Sequence, residues 1–382
     1  MRNSIRVSAV STAPPYEKGS MQRYDALLHE ALGDGSTEIE GRPVSLQFVR
    51  LSPPHAVLRR VSARQAYQVR HAWAVATAQK LRRSNADVLH LTDGNWAYLS
   101  RWFPPETAVV VTAHDVIPYL QMTGRIGPDR PWLLPRLAIK ASAAALRKVN
   151  HVVTVSRHSA LDLQETVGVD GEAISVVPLP LGLGRASPAD YRDQRSYLCG
   201  PQTILHVGSD AYYKNRGGVV SVFARLRLDK PVRLVLAGAP PSAALRGRVR
   251  SLGLDDAVEY VVHPDDDRLQ QLYRRASLLL FPSWYEGFGW PPLEAMANGC
   301  PVVCSSAASL PEVVGIAALT APADDVEGLA VHCRRVLGDS DFAYRLSQEG
   351  LRQAATFSVS RFRDGTSAAY GAALNQRNPT SR

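Results

Sequence analysis

Residues 282–299 read PSWYEGFGWPPLEAMANG, and their order dictates what must flank them. The apolar run Leu278–Phe281 just before them reads as a buried strand, and Pro301–Cys304 just after reads as another. Between the two, Glu286 stands in a turn rich in glycine. Pro291 and Pro292 suit the first turn of a helix and Gly299 suits its end. Glu294, eight positions after Glu286, falls on that helix. A strand, a glycine turn and a helix start bring backbone N–H groups to the head of a helix dipole, where an anion is favoured. Two carboxylates beside such a site offer acceptors for sugar hydroxyls, and Gly287 and Gly289 let the backbone approach a ligand.

The same grammar recurs upstream. In Leu205–Gly218, LHVGSDAYYKNRGG, a strand over Thr203–Val207 runs into Gly208, and Lys214 with Asn215 stands where a helix opens. A lysine there is a compact charge suited to a diphosphate leaving group. In Val109–Pro118, VVVTAHDVIP, the strand ends at Thr112, so His114 and Asp115 project from its carboxyl end. In Pro14–Tyr24, PPYEKGSMQRY, Gly19 and Ser20 open a helix. Ser309 and Glu312 have the spacing of a capping box. Asp265–Asp267 precedes the amphipathic RLQQLYRRA, so it is read as a helix cap and not as a metal-binding DxD.

Short β-branched runs alternate with helical patterns along the whole chain, the mark of parallel βαβ units. Strands are expected at Ile5–Val10, Val44–Val49, Val88–Leu91, Ala108–Thr112 and His151–Val155. After a Pro/Gly break at Val176–Ala186 they resume at Thr203–Val207, Arg233–Ala237, Val258–Val262, Ser277–Phe281 and Pro301–Cys304. Helices are expected over Met21–Leu32, Ala63–Arg83 and Leu133–Arg147. The fold class is therefore α/β, with two Rossmann-like doubly wound domains facing across a cleft, 1–185 and 186–358. A helix over 359–374 is expected to pack back on the first domain, and 375–382 to form a disordered tail. Ligands of such sheets bind at the carboxyl ends of the strands.

The 282–299 stretch resembles the E-x7-E motif of the retaining family-4 glycosyltransferases, which have the GT-B fold. The likeness extends from about Ile5 to Phe362, and is closer in the second half. It implies a retaining sugar transfer from a nucleotide sugar to a hydroxyl acceptor, in the synthesis of a polysaccharide, glycolipid or glycoconjugate. It implies that Glu286 binds hydroxyls of the transferred sugar and Glu294 the nucleotide ribose. The amides of Phe288 and Gly289 would approach the sugar and that of Leu293 the diphosphate, since Pro292 has no N–H. Lys214, with Gly208 and Asn215, would meet the diphosphate, and His114 the sugar or its phosphate. Gly19, Ser20 and Asp115 would line the donor and acceptor side of the first domain. Ser209 and Tyr213 stand where the family carries an arginine, which leaves Arg216 as the next cation within reach. The implied route is front-face attack within a closed cleft, with neither metal nor organic cofactor.

Composition bounds the rest. Lys and Arg exceed Asp and Glu by nine, and residues 51–150, with 14 basic and 5 acidic side chains, carry that whole surplus. Such an excess suits either a solvated face or a polyanionic partner. Arg59, Arg60, Arg64, Arg70, Lys80, Arg82 and Arg83, with Tyr67 and Trp73, suggest a peripheral contact with anionic membrane and a lipid-linked acceptor. No nucleic-acid motif accompanies the charge. Cysteines 199, 300, 304 and 333 have neither metal spacing nor a disulfide framework, as in a reducing cytoplasm. No apolar run approaches the ~20 residues of a membrane span. The absence of GxGxxG after the first strand, of GxxxxGK[ST] and of GxSxG speaks against a dehydrogenase, a nucleotide triphosphatase and an α/β-hydrolase. An epimerase of sugar nucleotides and a donor-binding but idle partner subunit remain as alternatives. UDP- and GDP-linked donors are both compatible with the sequence.

Overall fold

Parallel strands buried on both faces need nearly continuous apolar sequence, and the central runs Val88–Leu91, Ala108–Ala113, Leu278–Phe281 and Val302–Ser305 have it. The computed structural model describes residues 4–14, 19–58, 61–181, 202–227 and 231–377. Arg59, Arg60, Cys199, the Pro/Gly break after residue 181 and the tail after residue 377 lie outside the described residues. Thirteen strands occur among those described: β1 Ile5–Ser11, β2 Glu38–Ile39, β3 Arg42–Arg50, β4 Val88–Leu91, β5 Ala108–Ala113, β6 His151–Thr154, β7 Ile174–Val176, β8 Gln202–Gly208, β9 Val232–Gly238, β10 Val258–Val262, β11 Leu278–Phe281, β12 Val302–Ser305 and β13 Leu319–Ala321. Ten match the apolar runs. The others, β2, β7 and β13, have two or three residues, too few to leave a period in the sequence.

Contacts divide the chain into two units, residues 1–180 with 358–382, and residues 181–357. The first contains a seven-stranded sheet in the order β2-β3-β1-β4-β5-β6-β7. It is parallel except for the short β2–β3 pair. The second contains an all-parallel sheet in the order β10-β9-β8-β11-β12-β13. That order reverses direction between β8 and β11, which makes their carboxyl ends the place for a ligand. Its core joins Ile204, Leu234, Leu236, Leu278 and Leu280 of the strands to Val219, Phe223 and Leu226 of the Arg216–Arg227 helix. Leu329 and Cys333 of the Val326–Gly338 helix complete it.

The boundary falls at Pro180, five residues before the expected one. Val177 and Leu179 are buried in the first unit, and the Val177 amide donates to the Thr154 carbonyl. The last helix runs over Val359–Arg377, so the first three residues of the expected disordered tail are helical. This helix belongs to the first unit, where it packs on β4, β5, β6 and the Ser20–Leu32 helix. A buried polar chain fastens it. Tyr370 Oη and His90 Nδ1 are 2.7 Å apart, His90 Nε2 and Thr112 Oγ1 2.7 Å, and Tyr24 Oη and Thr112 Oγ1 2.8 Å. All four residues are fully buried. This polar chain contains hydroxyls and one imidazole but no carboxylate, so nothing in it compensates a buried imidazolium charge. Burial accordingly pushes the His90 pKa down to about 3.

His206, buried in β8 with Nδ1 3.0 Å from the Leu280 carbonyl, is held down to about 3 in the same way. Both groups stay neutral in the folded chain, whereas an unfolded histidine takes up its proton near pH 6.5. Their contribution to stability is thus complete above pH 6.5 and shrinks as pH falls towards 3. Urea denaturation at pH 7 and pH 5 is expected to differ by about 2 kcal/mol for each of the two. In His90→Gln the first unit should lose less on acidification than the wild type. An equal loss in both would separate His90 from the pH dependence.

Candidate active site

Two loops leave the reversal point of the second sheet, one after β8 at Gly208 and one after β11 at Phe281, and they brace each other. The Trp284 amide donates to the Tyr213 carbonyl at 2.8 Å. Asn215 adopts a left-handed conformation, φ 53°, and its Nδ2 donates to the carbonyls of Pro282 (2.9 Å) and Ala323 (3.0 Å). Its Oδ1 accepts from the Gly218 amide at the start of the next helix, at 3.0 Å. The third brace is ionic. Lys214 Nζ donates to both carboxylate oxygens of Glu286, at 2.9 and 2.8 Å.

This ion pair is nearly dry, with side chains 15% and 8% exposed. The ammonium also lies 5.3 Å from the Tyr213 ring centre and 5.5 Å from that of Phe281. Glu286 sits in the turn that the sequence predicts. Gly289 there has φ 123°, a conformation that calls for glycine, and a Cβ would also crowd Leu310 Cδ2 at 2.9 Å. Phe288 is buried and packs edge-on against Phe357. The helix that follows runs over Trp290–Ala297 and carries Glu294, 1% exposed, whose Oε2 accepts from Tyr273 Oη at 2.9 Å. Asp265 caps the Asp266–Arg275 helix through the Arg268 amide, as its sequence position indicates.

Four expectations need correction. Asn215 does not offer polar groups to a donor: its side chain is used in the three bonds above, and its amide donates to Tyr212. Arg216 is engaged by the strand ends and by Asp210 of the loop itself, 3.9 Å away. It is buried, with Nη1 2.9 Å from the Ala239 carbonyl and Nη2 3.0 Å from that of Gly208, holding the ends of β8 and β9 together. The Leu293 amide donates back to the Gly289 carbonyl at 3.3 Å. With prolines at 291 and 292, the head of this helix is poor in N–H donors for a phosphate. Ser309, finally, forms no capping box, because its own backbone is helical and its hydroxyl makes no cap bond. That hydroxyl lies instead 2.9 Å from the Glu286 carbonyl and 2.6 Å from the Phe288 carbonyl, and so fixes the glycine turn. Ser209 is exposed beside Gly208, and its Oγ accepts from the Ala211 amide at 3.4 Å.

In the first unit, His114 follows β5 and is half-buried. Its Nε2 lies 3.0 Å from the Thr92 carbonyl, an acceptor, so Nε2 carries the proton. Burial lowers its pKa to about 4, and the neutral ring presents Nδ1 as an acceptor. Tyr24 stands edge-on to it, with ring centres 4.6 Å apart. The Asp115 carboxylate accepts from the Ile117 amide at 2.9 Å and starts the Ile117–Thr123 helix. Gly19 and Ser20, both exposed, begin the Ser20–Leu32 helix and line a cavity of about 280 Å³ with Thr12, Arg70, Asp93 and Trp96. Burial raises the Asp93 pKa. Sequence reasoning missed Arg70 as a lining residue, Asp93, Trp96, Tyr273 and the true role of Ser309. A signal existed for Asp93 alone, which stands two positions after the predicted strand Val88–Leu91.

Comparison with known proteins agrees with this architecture. Residues 192–353 match the model of the glycosyl transferases group 1, and residues 33–183 that of Glycosyltransferase Family 4. An MMP alpha-(1→4)-mannosyltransferase of Mycolicibacterium hassiacum is 30% identical over 287 residues, 72% of this chain and 67% of the relative. O-antigen chain mannosyltransferase B of Escherichia coli is 35% identical over 169 residues, 43% of this chain and 44% of the relative. Among solved structures, a sucrose-phosphate synthase of Thermosynechococcus elongatus superposes with a TM-score of 0.76 at 20% identity, covering 96% of this chain and 98% of that one. HepE of Anabaena, in complex with UDP and glucose, gives 0.69 at 16% identity over 95% and 98% of the two chains.

Removing one member of a dry ion pair strands the other. Lys214→Ala should therefore destabilise the second unit by about 3–5 kcal/mol. Adding Glu286→Gln to it should restore part of that loss without restoring activity. Thermal melting of the two single variants and the double variant gives the coupling directly. A Lys214→Ala protein melting like the wild type would show the pair to be solvated. Ser309→Ala should lower stability by about 1–2 kcal/mol, since it removes the one hydroxyl donor that the buried Glu286 and Phe288 carbonyls share.

Proposed function

The chain belongs to the glycosyltransferases of group 1 and family 4, and from that premise we propose that it transfers a sugar with retention from a nucleotide sugar to a hydroxyl acceptor. The observation that carries this reading is the Lys214–Glu286 pair at the reversal point of the second sheet. A diphosphate is a stronger partner for an ammonium than one carboxylate is. When it takes Lys214, both oxygens of Glu286 become available to hydroxyls of the donor sugar. Glu294, on the Trp290–Ala297 helix that follows the turn, takes the ribose. The departing diphosphate is stabilised chiefly by Lys214, with Ser209 and backbone amides beside Gly208 as further donors. Because this cation is built in, the reading requires neither a metal nor an organic cofactor.

His114 accepts a hydroxyl proton at Nδ1 and so suits the sugar better than its phosphate. Asp115 and Ser20 fall on the acceptor side. The cavity lined by Ser20, Arg70, Asp93 and Trp96 combines charged hydrogen-bonding groups with an aromatic face, a combination suited to a saccharide or polyol acceptor. The relatives' names support a place in polysaccharide, glycolipid or glycoconjugate synthesis. UDP and GDP donors stay open. The described cysteines are free and buried, which suits a cytoplasmic setting, and the peripheral site is the inner face of the cell membrane.

A thermal-shift panel of UDP, GDP and their sugars should raise the melting temperature with one nucleotide class, because a ligand of the folded state stabilises it. Glu294→Ala should weaken that donor by about 1.5–3 kcal/mol, whereas Glu286→Ala should retain nucleotide binding and lose nearly all transfer. Near-normal turnover in Glu286→Ala would overturn the assignment, and an inverted anomeric product by NMR would overturn retention.

A further inference from the structure

The Leu133–Leu146 helix of the first unit opens with an apolar face that none of the described residues covers. Leu133 is 67% exposed, Leu134 40% and Leu137 54%, three large apolar side chains within five positions. Leu133 and Leu137 are neighbours on one face at a spacing of four. Arg136 and Lys140, both exposed, form the next row of the same helix, and exposed Arg130 precedes it. Trp132 stands at the helix N-cap, packed edge-on against Tyr67 with the Arg64 guanidinium 5.0 Å from its ring centre. From residue 121 to 148 there are six basic side chains and one acidic one, Asp129.

An occupant must bring apolar matter to the leucines and negative charge to the cations around them. A second copy joined about a twofold axis would set Arg136 and Lys140 against their own images, with Asp129 as the one local acid to offset them. Nucleic acid offers phosphates but nothing for three leucines. An anionic bilayer offers both, at the depths where leucine, tryptophan and basic side chains each find their medium. We infer that the start of the Leu133–Leu146 helix is a docking surface for an anionic lipid bilayer. The inference relocates the membrane contact from the Ala63–Lys80 helix, whose Arg64 and Tyr67 are engaged with Trp132 and whose Arg70 lines the cavity. It does not depend on the reaction proposed above.

Flotation of the full chain with phosphatidylcholine vesicles, with and without phosphatidylglycerol, tests it at low and high salt. The wild type is expected to float with the anionic vesicles, and less so as salt screens the cations. The pair Leu133→Ser and Leu137→Ser should lower the partition coefficient by about tenfold or more, with melting temperature and nucleotide affinity unchanged. Charge reversal by Arg136→Glu and Lys140→Glu should abolish flotation. The inference fails if the wild type floats with neither vesicle, or if the serine pair floats like the wild type. It fails equally if light scattering finds a dimer that the serine pair dissociates. None of these readouts involves sugar transfer, so its failure leaves the proposed reaction untouched.

Discussion

Lys214 and Glu286 come from loops 72 positions apart, and most of the order around the reversal point of the second sheet serves to hold them together. A dry ion pair repays the loss of hydration only when its geometry is fixed. The fixing is done by neutral bonds: Trp284 to Tyr213 along the main chain, Asn215 to Pro282, and Ser309 to the carbonyls of the glycine turn. Arg216 holds the floor beneath by tying the ends of β8 and β9. The site is rigid in its frame and labile at one point, the contact that an incoming anion can replace.

The prolines at 291 and 292 sharpen that division of labour. A helix head normally offers several free amides to an anion, yet two of these are absent and Leu293 is bonded back to Gly289. Side chains, Lys214 above all, must therefore carry more of the anion's charge than the helix does. The orientation of Lys214 by the Tyr213 and Phe281 rings fits this heavier duty.

What could be read from sequence was what short-range rules govern. The runs LLLF and VVVTA announce strands, PP and G bracket a helix, and Glu286 and Glu294 stand in the turn and on the helix where that pattern puts them. The errors arose where distant groups compete for a polar side chain. Ser309 and Glu312 have the right spacing for a capping box, but the backbone at Ser309 is already helical and its hydroxyl finds closer acceptors 21 and 23 positions back. Asn215 resembled a ligand-binding residue and proved to be a strut. Tyr24, His90, Thr112 and Tyr370 give no local signal at all, because their bonds span as much as 280 positions.

The placement of Tyr370 bears on how the molecule is made. A ribosome releases the strands of the first unit early, yet the helix that covers β4, β5 and β6 emerges only after the whole second unit. The second unit, one uninterrupted stretch of chain, is complete before the first can be. Synthesis thus reverses the usual order in which an N-terminal domain folds ahead of its successor. During the interval one side of the first sheet, with the buried imidazole of His90 in it, stands open. A nascent chain that has released residue 357 but not yet the Val359–Arg377 helix would hold a finished second unit and an unfinished first one.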